Sequence, residues 1–107
     1  MSKRVSDNEL LTLVHFVKVQ VAALPDIPKA NAAVASVFFQ AVDAHHAAAR
    51  ALVQDLVRDH GARLTNPLGG FRLSMAGVSA TSTSGESALL TNWINAAYRE
   101  LDRRRAA

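Results

Sequence analysis

Cysteine is absent from this chain, and its absence excludes several kinds of chemistry. Without thiols there is no disulfide framework, no cysteine nucleophile and no thiolate ligand for a metal. A reducing compartment is compatible with such a chain, and we expect a cytoplasmic protein.

Long apolar runs are also lacking. The N-terminal region begins with basic residues, but His15, Lys18 and Gln20 interrupt its apolar stretch, so we expect no signal peptide. No stretch approaches the roughly 20 apolar residues that a membrane-spanning helix requires. We therefore expect no partnership with a membrane.

The chain has only a small excess of positive over negative charge. The chain has 12 Lys and Arg against 9 Asp and Glu, for a net charge of +3. Basic residues concentrate near both ends and alternate with acids in between, which favours an ordinary solvated surface over a dedicated nucleic-acid footprint.

The length and composition predict one small domain. With 107 residues, half of them hydrophobic, the chain can build one modest core. We expect a single domain over residues 1–107, with residues 1–6 and 105–107 flexible. The fold that the patterns below predict is mainly α: a small helical domain with one long or bent central helix and a short β-hairpin before the C-terminal helix.

The first helix is predicted over residues 7–24. Ser6 and Glu9 have the spacing of a capping box, apolar residues then recur at helical intervals, and Pro25 ends the pattern. The alternative is a strand over "VKVQVAAL", because Val17, Val19 and Val21 are β-branched and alternate with other residues. We prefer the helix.

The central helix is predicted over residues 28–60, with Asp26 as its cap and helical structure resuming from about Ile27. This span has no glycine after Pro28, is rich in alanine, and is followed by Gly61, a typical C-terminal stop. Two interpretations remain open: a bend near Asp43, or one long helix that associates with another chain. Continuity is favoured by an apolar stripe that keeps its period, formed by Val34, Phe38, Val42, His45, Ala49, Leu52 and Leu56.

A hairpin and a third helix follow. Residues 61–70 are predicted to be a loop, and residues 71–83 a hairpin whose two-residue turn is Ala76-Gly77. Thr83 and Glu86 then form a second capping box, which opens a helix over residues 84–104. The predicted core consists of Leu13, Val17, Val21, Phe38, Val42, Leu52, Leu56, Leu73, Leu90, Trp93 and Ala97.

The segment "GVSATSTSGES", residues 77–87, is rich in hydroxyl groups and glycine. It resembles an anion site ahead of a helix, but the phosphate-binding patterns GxxxxGK[ST] and GxGxxG are absent. A helix-turn-helix is disfavoured because β-branched residues, serines and Gly85 would fill the recognition helix. We expect a strand that leads into a capped helix.

Neither catalysis nor metal binding is predicted. The four histidines lack the spacing of a helical metal pair, and no GxSxG nucleophile motif occurs. Asp43 and His46 are three residues apart, a spacing far more typical of a surface pair than of an active site. We therefore expect no enzyme activity, no cofactor and no small-molecule substrate.

The leading functional hypothesis is a non-enzymatic protein–protein interaction module, such as an adaptor, an inhibitor or an assembly subunit. Apolar residues off the main stripe of the first helix, together with small residues on the central helix, provide more apolar surface than one small core consumes. A protein partner or self-association would use Leu11, Phe16, Val19, Ala47 and Ala48.

The alternative hypothesis is a nucleic-acid-binding regulatory protein, of the kind that a phage or another mobile element encodes. Small size and basic character suggest it. Its phosphate contacts would come from the C-terminal cluster of Arg99, Arg103, Arg104 and Arg105.

Overall fold

The chain forms a mainly α-helical fold in which a small antiparallel sheet precedes the last helix, as predicted. The computed structural model describes residues 3–27, 35–66 and 69–106. Within these ranges the elements follow the order α1 (Asp7–Ala22), α2 (Ala35–Asp59), β1 (Arg63–Thr65), β2 (Phe71–Met75), β3 (Val78–Ser82) and α3 (Glu86–Ala106).

Helix α1 begins at the predicted capping serine. The Ser6 hydroxyl accepts a hydrogen bond from the Glu9 amide at 3.2 Å, which satisfies one of the free amides of the first turn. The strand alternative for "VKVQVAAL" is wrong, because the helix continues to Ala22. Leu10, Val14 and Val17, spaced by four and three residues, are fully buried, so the helical period decides the structure.

Helix α2 passes through Asp43 without a break. Gly61 ends it as predicted: its φ is +66°, and the Ala62 amide donates to the Leu56 carbonyl at 3.1 Å. The predicted start was too early, because Ile27 is not helical and the described part of the helix begins at Ala35. Residues 28–34 of the prediction lie outside the described residues.

The hairpin has the predicted turn and register. Ala76 and Gly77 both have positive φ, at +56° and +80°, and Met75 pairs with Val78. The loop prediction for residues 61–70 is wrong at Arg63–Thr65, which pair with β2 as an additional edge strand. A segment of three residues is too short for its alternation to be recognised in the sequence.

Helix α3 is in contact with α1, α2, β2 and β3. Trp93 is fully buried, and its indole N–H donates to the Met75 and Val78 carbonyls at 3.3 and 3.2 Å. The helix starts at Glu86, two residues later than predicted, so Gly85 with its φ of +98° takes the N-cap position predicted for Thr83.

The core is smaller than predicted at one end. Phe38 and Val42 remain partly exposed and lie outside it, so their assignment to the core is wrong. Leu13 and Val21 are partly buried against the core. The other predicted members are buried, namely Val17, Leu52, Leu56, Leu73, Leu90, Trp93 and Ala97.

Replacing Gly77 by Ala should destabilise the fold more than replacing Gly61 by Ala. Both residues have positive φ, where an L side chain costs about 1–2 kcal/mol. At Gly77 a Cβ would also lie 2.7 Å from the Arg4 Cα, whereas at Gly61 it would meet no atom within 4 Å. We expect the crowding at Gly77 to add roughly 1–3 kcal/mol to its loss of unfolding free energy in urea titrations. Equal losses for the two variants would contradict the packing of Arg4 on the turn.

Candidate interaction surfaces

The first half of α2, residues 35–48, carries apolar side chains that the core does not cover; we name this segment the α2 arm. The buried residues of α2 are Ala49, Leu52, Val53 and Leu56, all beyond the arm. Within the arm, Val37 is 53% and Phe39 63% exposed. The arm therefore carries the most exposed aromatic side chain among the described residues, Phe39.

The arm is attached to the body at its base. The His45 Nδ1 atom lies 2.8 Å from the Pro25 carbonyl oxygen, so the imidazole binds the turn that follows α1. This contact satisfies one ring nitrogen of His45. The residues before His45 extend beyond that attachment, in a molecule 51 Å long and 26 by 23 Å across.

Helix α1 exposes the three residues predicted to bind a partner. Leu11 and Val19 are each about half exposed, at 52% and 53%. Phe16, three residues before Val19 on the same helix, packs on the His60 ring, with ring centroids 5.0 Å apart. It lines a shallow groove of about 490 Å³ together with Val5, Asn8, Glu9, Thr12, Leu13 and His60.

The two predicted alanines differ in their surroundings. Ala47 is exposed, whereas Ala48 is half-buried and faces the end of α1. With Ala51 it lines a groove of about 260 Å³ beside Ala23 and Leu24. Ala48 therefore lines a groove between the end of α1 and α2.

The C-terminal arginines fall into two groups. Arg103 binds Glu100 with two hydrogen bonds of 2.8 and 2.7 Å. Arg104, whose side chain is only 6% exposed, donates to Glu100 and Asp7 at 2.9 Å and to the Val5 carbonyl at 3.0 Å. It thereby joins the end of α3 to the start of α1. Arg99 and Arg105 are exposed and form no ion pair within the described part of the chain.

Glu100 is the electrostatic centre of this cluster. Hydrogen bonds from Arg103 and Arg104 lower its pKa to about 2. In turn, Glu100 raises the pKa of Arg103, while Asp7 and Glu100 raise the pKa of Arg104. Two of the four arginines predicted to contact nucleic acid are therefore neutralised within the protein.

The candidate catalytic and metal residues do not converge. Asp43 and His46 are both exposed, and no hydrogen bond joins them in the described structure. No group of three or more His, Asp or Glu side chains that could hold a metal ion occurs among the described residues. None of the described helices is both long and apolar enough to cross a membrane.

The hydroxyl-rich segment forms β3 and the turn before α3, which excludes the helix-turn-helix alternative. Its polar groups bind nearby groups of the protein: the Ser82 hydroxyl accepts from the Ser84 amide at 3.0 Å, and the Thr81 carbonyl accepts from the Asn92 amide group at 2.9 Å. These contacts fix the connection between strand and helix.

Sequence reasoning missed two exposed arginines on the sheet, Arg63 and Arg72. Both point away from the core, on β1 and β2. A signal was present in the sequence, since no Asp or Glu occurs between positions 60 and 85. This lack of acidic residues indicates a basic surface only once the strand pairing is known, because the pairing brings the two arginines to one face of the sheet.

Replacing Arg104 by Ala should destabilise the protein, because the change leaves Asp7 and Glu100 without their shared cation and removes the link between α1 and α3. Arg105→Ala is the matched control, since its side chain is exposed. We expect a lower midpoint of urea denaturation for Arg104→Ala alone. Similar midpoints for the two variants would contradict the structural role of Arg104.

Replacing Glu100 by Gln should change how stability depends on pH. The folded pKa of about 2 lies below the ordinary value of 4.5, so the carboxylate stabilises the fold above about pH 4.5. That contribution is lost as the pH falls towards 2. The difference in unfolding free energy between wild type and Glu100→Gln should therefore be flat above about pH 5 and shrink below it. A difference independent of pH from 5 to 2 would contradict this assignment.

Comparison with known proteins adds no assignment. The chain matches no protein-family model, and neither the curated proteins nor the solved structures contain a significant match to it.

Proposed function

We propose that the protein is a non-enzymatic protein–protein interaction module and that it self-associates through the α2 arm. The observation that carries the proposal is the exposure of Val37 and Phe39 on a helix segment without a single buried residue. Exposed apolar area costs about 25 cal/mol per Å² relative to burial, so covering these side chains stabilises an assembly. Aromatic side chains are also enriched in the cores of protein interfaces.

A second copy of the chain suits the arm because the arm is almost free of charge. Asp43 is the only Asp, Glu, Lys or Arg between positions 35 and 48. A strongly charged partner would find no complementary group there, whereas two arms can pack with little like-charge repulsion. A two-fold arrangement requires only that the surface complement itself.

Small residues on the arm favour close contact between helices. Ala41, Ala44 and Ala47 leave room for a facing helix, while the aromatic side chains near the start of the arm supply contact area. An antiparallel pair of arms would also place the dipoles of the two helices in opposite directions, which is electrostatically favourable.

The interface is assigned to the arm rather than to α1. On α1, Leu11 lies among Thr12 and His15, and Val19 has Phe16 as its apolar neighbour one turn earlier, but Phe16 is already packed on His60. Small groups of exposed apolar residues of this kind are common on monomeric proteins. On the arm, Phe38 and Phe39 are in edge-to-face contact, with centroids 5.7 Å apart, and form a continuous aromatic surface.

Light scattering with measurement of molar mass tests the proposal. The wild type should rise with concentration from its monomer mass of 11.5 kDa towards twice that value. The double variant Val37→Ser/Phe39→Ser should remain monomeric. Val37 and Phe39 lie two positions apart, about 200° around the helix, so a contact between two arms buries one of them on each arm. If a symmetric dimer therefore loses two side chains at about 1 kcal/mol each, the dissociation constant should rise roughly 30-fold.

The matched control is Leu11→Ser/Val19→Ser, which removes two exposed apolar side chains from α1 and should dimerise like the wild type. Because the chain has no cysteine, Gln40→Cys and Val19→Cys each introduce a single thiol for a short bifunctional cross-linker, and the exposed Gln40 lies beside Phe39 without replacing it. Cross-linked dimer should form with Gln40→Cys only. A wild type that stays monomeric up to millimolar concentration, or a dimer lost only in the α1 variant, would refute self-association through the arm.

A further inference from the structure

We propose that the outer face of the β-sheet, together with Arg99, binds the phosphate backbone of double-stranded nucleic acid. This surface is separate from the α2 arm, and the proposal does not depend on self-association. We name it the basic sheet face, and it consists of Arg63, Arg72, Ser74, Ser79, Thr81 and Arg99.

Strand alternation builds this face. Successive side chains of a strand point to opposite sides of the sheet. Leu73 and Met75 of β2 are buried, so Arg72 and Ser74, which precede them in the same strand, point outwards. The register then aligns one row of Arg63, Ser74 and Ser79 and a second row of Thr65, Arg72 and Thr81. Each row crosses the three strands and contains one arginine and two hydroxyl groups.

Adjacent strands lie about 4.8 Å apart, so the arginines and hydroxyls of a row form closely spaced hydrogen-bond donors. The Ser74 and Ser79 hydroxyl oxygens are 2.8 Å apart. Since a serine hydroxyl both donates and accepts, this pair retains one donor for a ligand. The face therefore combines fixed positive charge with short polar side chains.

Arg99 extends the face beyond β3. It lines a groove of about 350 Å³ beside the strand, together with Ser79, Thr81, Asn92 and Asn95. The same guanidinium borders a second groove that includes Gly77, Ser79 and Glu100. Glu100 is the one carboxylate lining these grooves, and it is already bound by Arg103 and Arg104.

Ion pairs occupy most of the arginines on the described helices. Arg50 binds Glu86, Arg58 binds Asp55 and Asp59, and Arg103 and Arg104 bind Glu100. In the described ranges, by contrast, Arg63, Arg72 and Arg99 form no ion pair. Arg4 and Arg105 are also without an ion pair, but neither belongs to the sheet. Since no acidic residue occurs between positions 60 and 85, the sheet supplies no internal counter-charge.

The composition of the face favours nucleic acid over an acidic protein. Protein interfaces have an apolar or aromatic centre, and the basic sheet face has neither. Phosphate oxygens, in contrast, accept hydrogen bonds mainly from Arg, Lys, Ser, Thr and Asn side chains. Without an exposed aromatic ring the face offers no platform for stacking single-stranded bases, which leaves the backbone of a duplex as the ligand.

Fluorescence anisotropy with a labelled duplex of about 20 base pairs tests the proposal. If three arginines neutralise three phosphates, log affinity should fall with log salt with a slope of about −2.7. Between about 20 and 100 mM salt this slope corresponds to a loss of roughly 80-fold. Arg72→Ala should reduce the slope to about −1.8 and weaken binding roughly 30-fold at 20 mM salt.

Arg58→Ala is the control, since it removes the same charge from an arginine already paired on α2, and it should bind like the wild type. Arg72→Lys keeps the charge, so its retained binding would show that the loss in Arg72→Ala is not a folding defect. No binding by the wild type at 20 mM salt, or equal losses for Arg72→Ala and Arg58→Ala, would overturn the proposal. Tighter binding of polyglutamate or of single-stranded DNA than of the duplex would also overturn it.

Discussion

The hydrogen bonds of the buried Trp93 indole join α3 to the hairpin of β2 and β3. Its N–H points between the carbonyls of Met75 and Val78, the residues that flank the hairpin turn. A hairpin of this length is only marginally stable by itself, so it needs attachment to a helix. The indole provides a large buried apolar ring and a polar contact in one side chain, and α3 thereby becomes the element on which both the sheet and α1 pack.

The position of that core determines which parts of α2 are covered. From Ala49 onwards α2 contributes buried side chains, while none of its described residues before Ala49 is buried. The helix is nevertheless continuous, since alanine-rich sequence favours helical structure even where packing is absent. The aromatic side chains of the arm are therefore exposed because α2 is longer than the core that covers it, and no local defect in packing is required to explain their exposure.

Most features determined by neighbouring residues could be predicted from the sequence, with the cap at Thr83 as an exception, whereas several features determined by distant elements could not. The Ser6 cap, the Gly61 stop and the register around Ala76-Gly77 depend on a few adjacent residues, and all three are confirmed. Phe38 continues the apolar period of α2 but lies where no other described element reaches the helix, which periodicity cannot reveal. Arg104 likewise resembles its neighbours in sequence, and only the position of Asp7, on a helix 97 residues earlier, makes it structural.

The same reasoning explains why net charge is a poor guide to the surfaces of this protein. A value of +3 describes the whole chain, but the ion pairs of α2 and α3 cancel much of the charge locally and leave unpaired arginines on the sheet. The two proposed surfaces are consequently opposite in chemistry, one nearly uncharged and aromatic, the other polar and positive.

The basic sheet face would bind weakly alone, since three phosphate contacts give an affinity of only tens of micromolar even at about 20 mM salt. Self-association through the arms would place two basic sheet faces in one assembly, and the second contact would then form at a high effective concentration. Dimerisation is thus the simplest way in which a domain of this size could bind a duplex at higher salt.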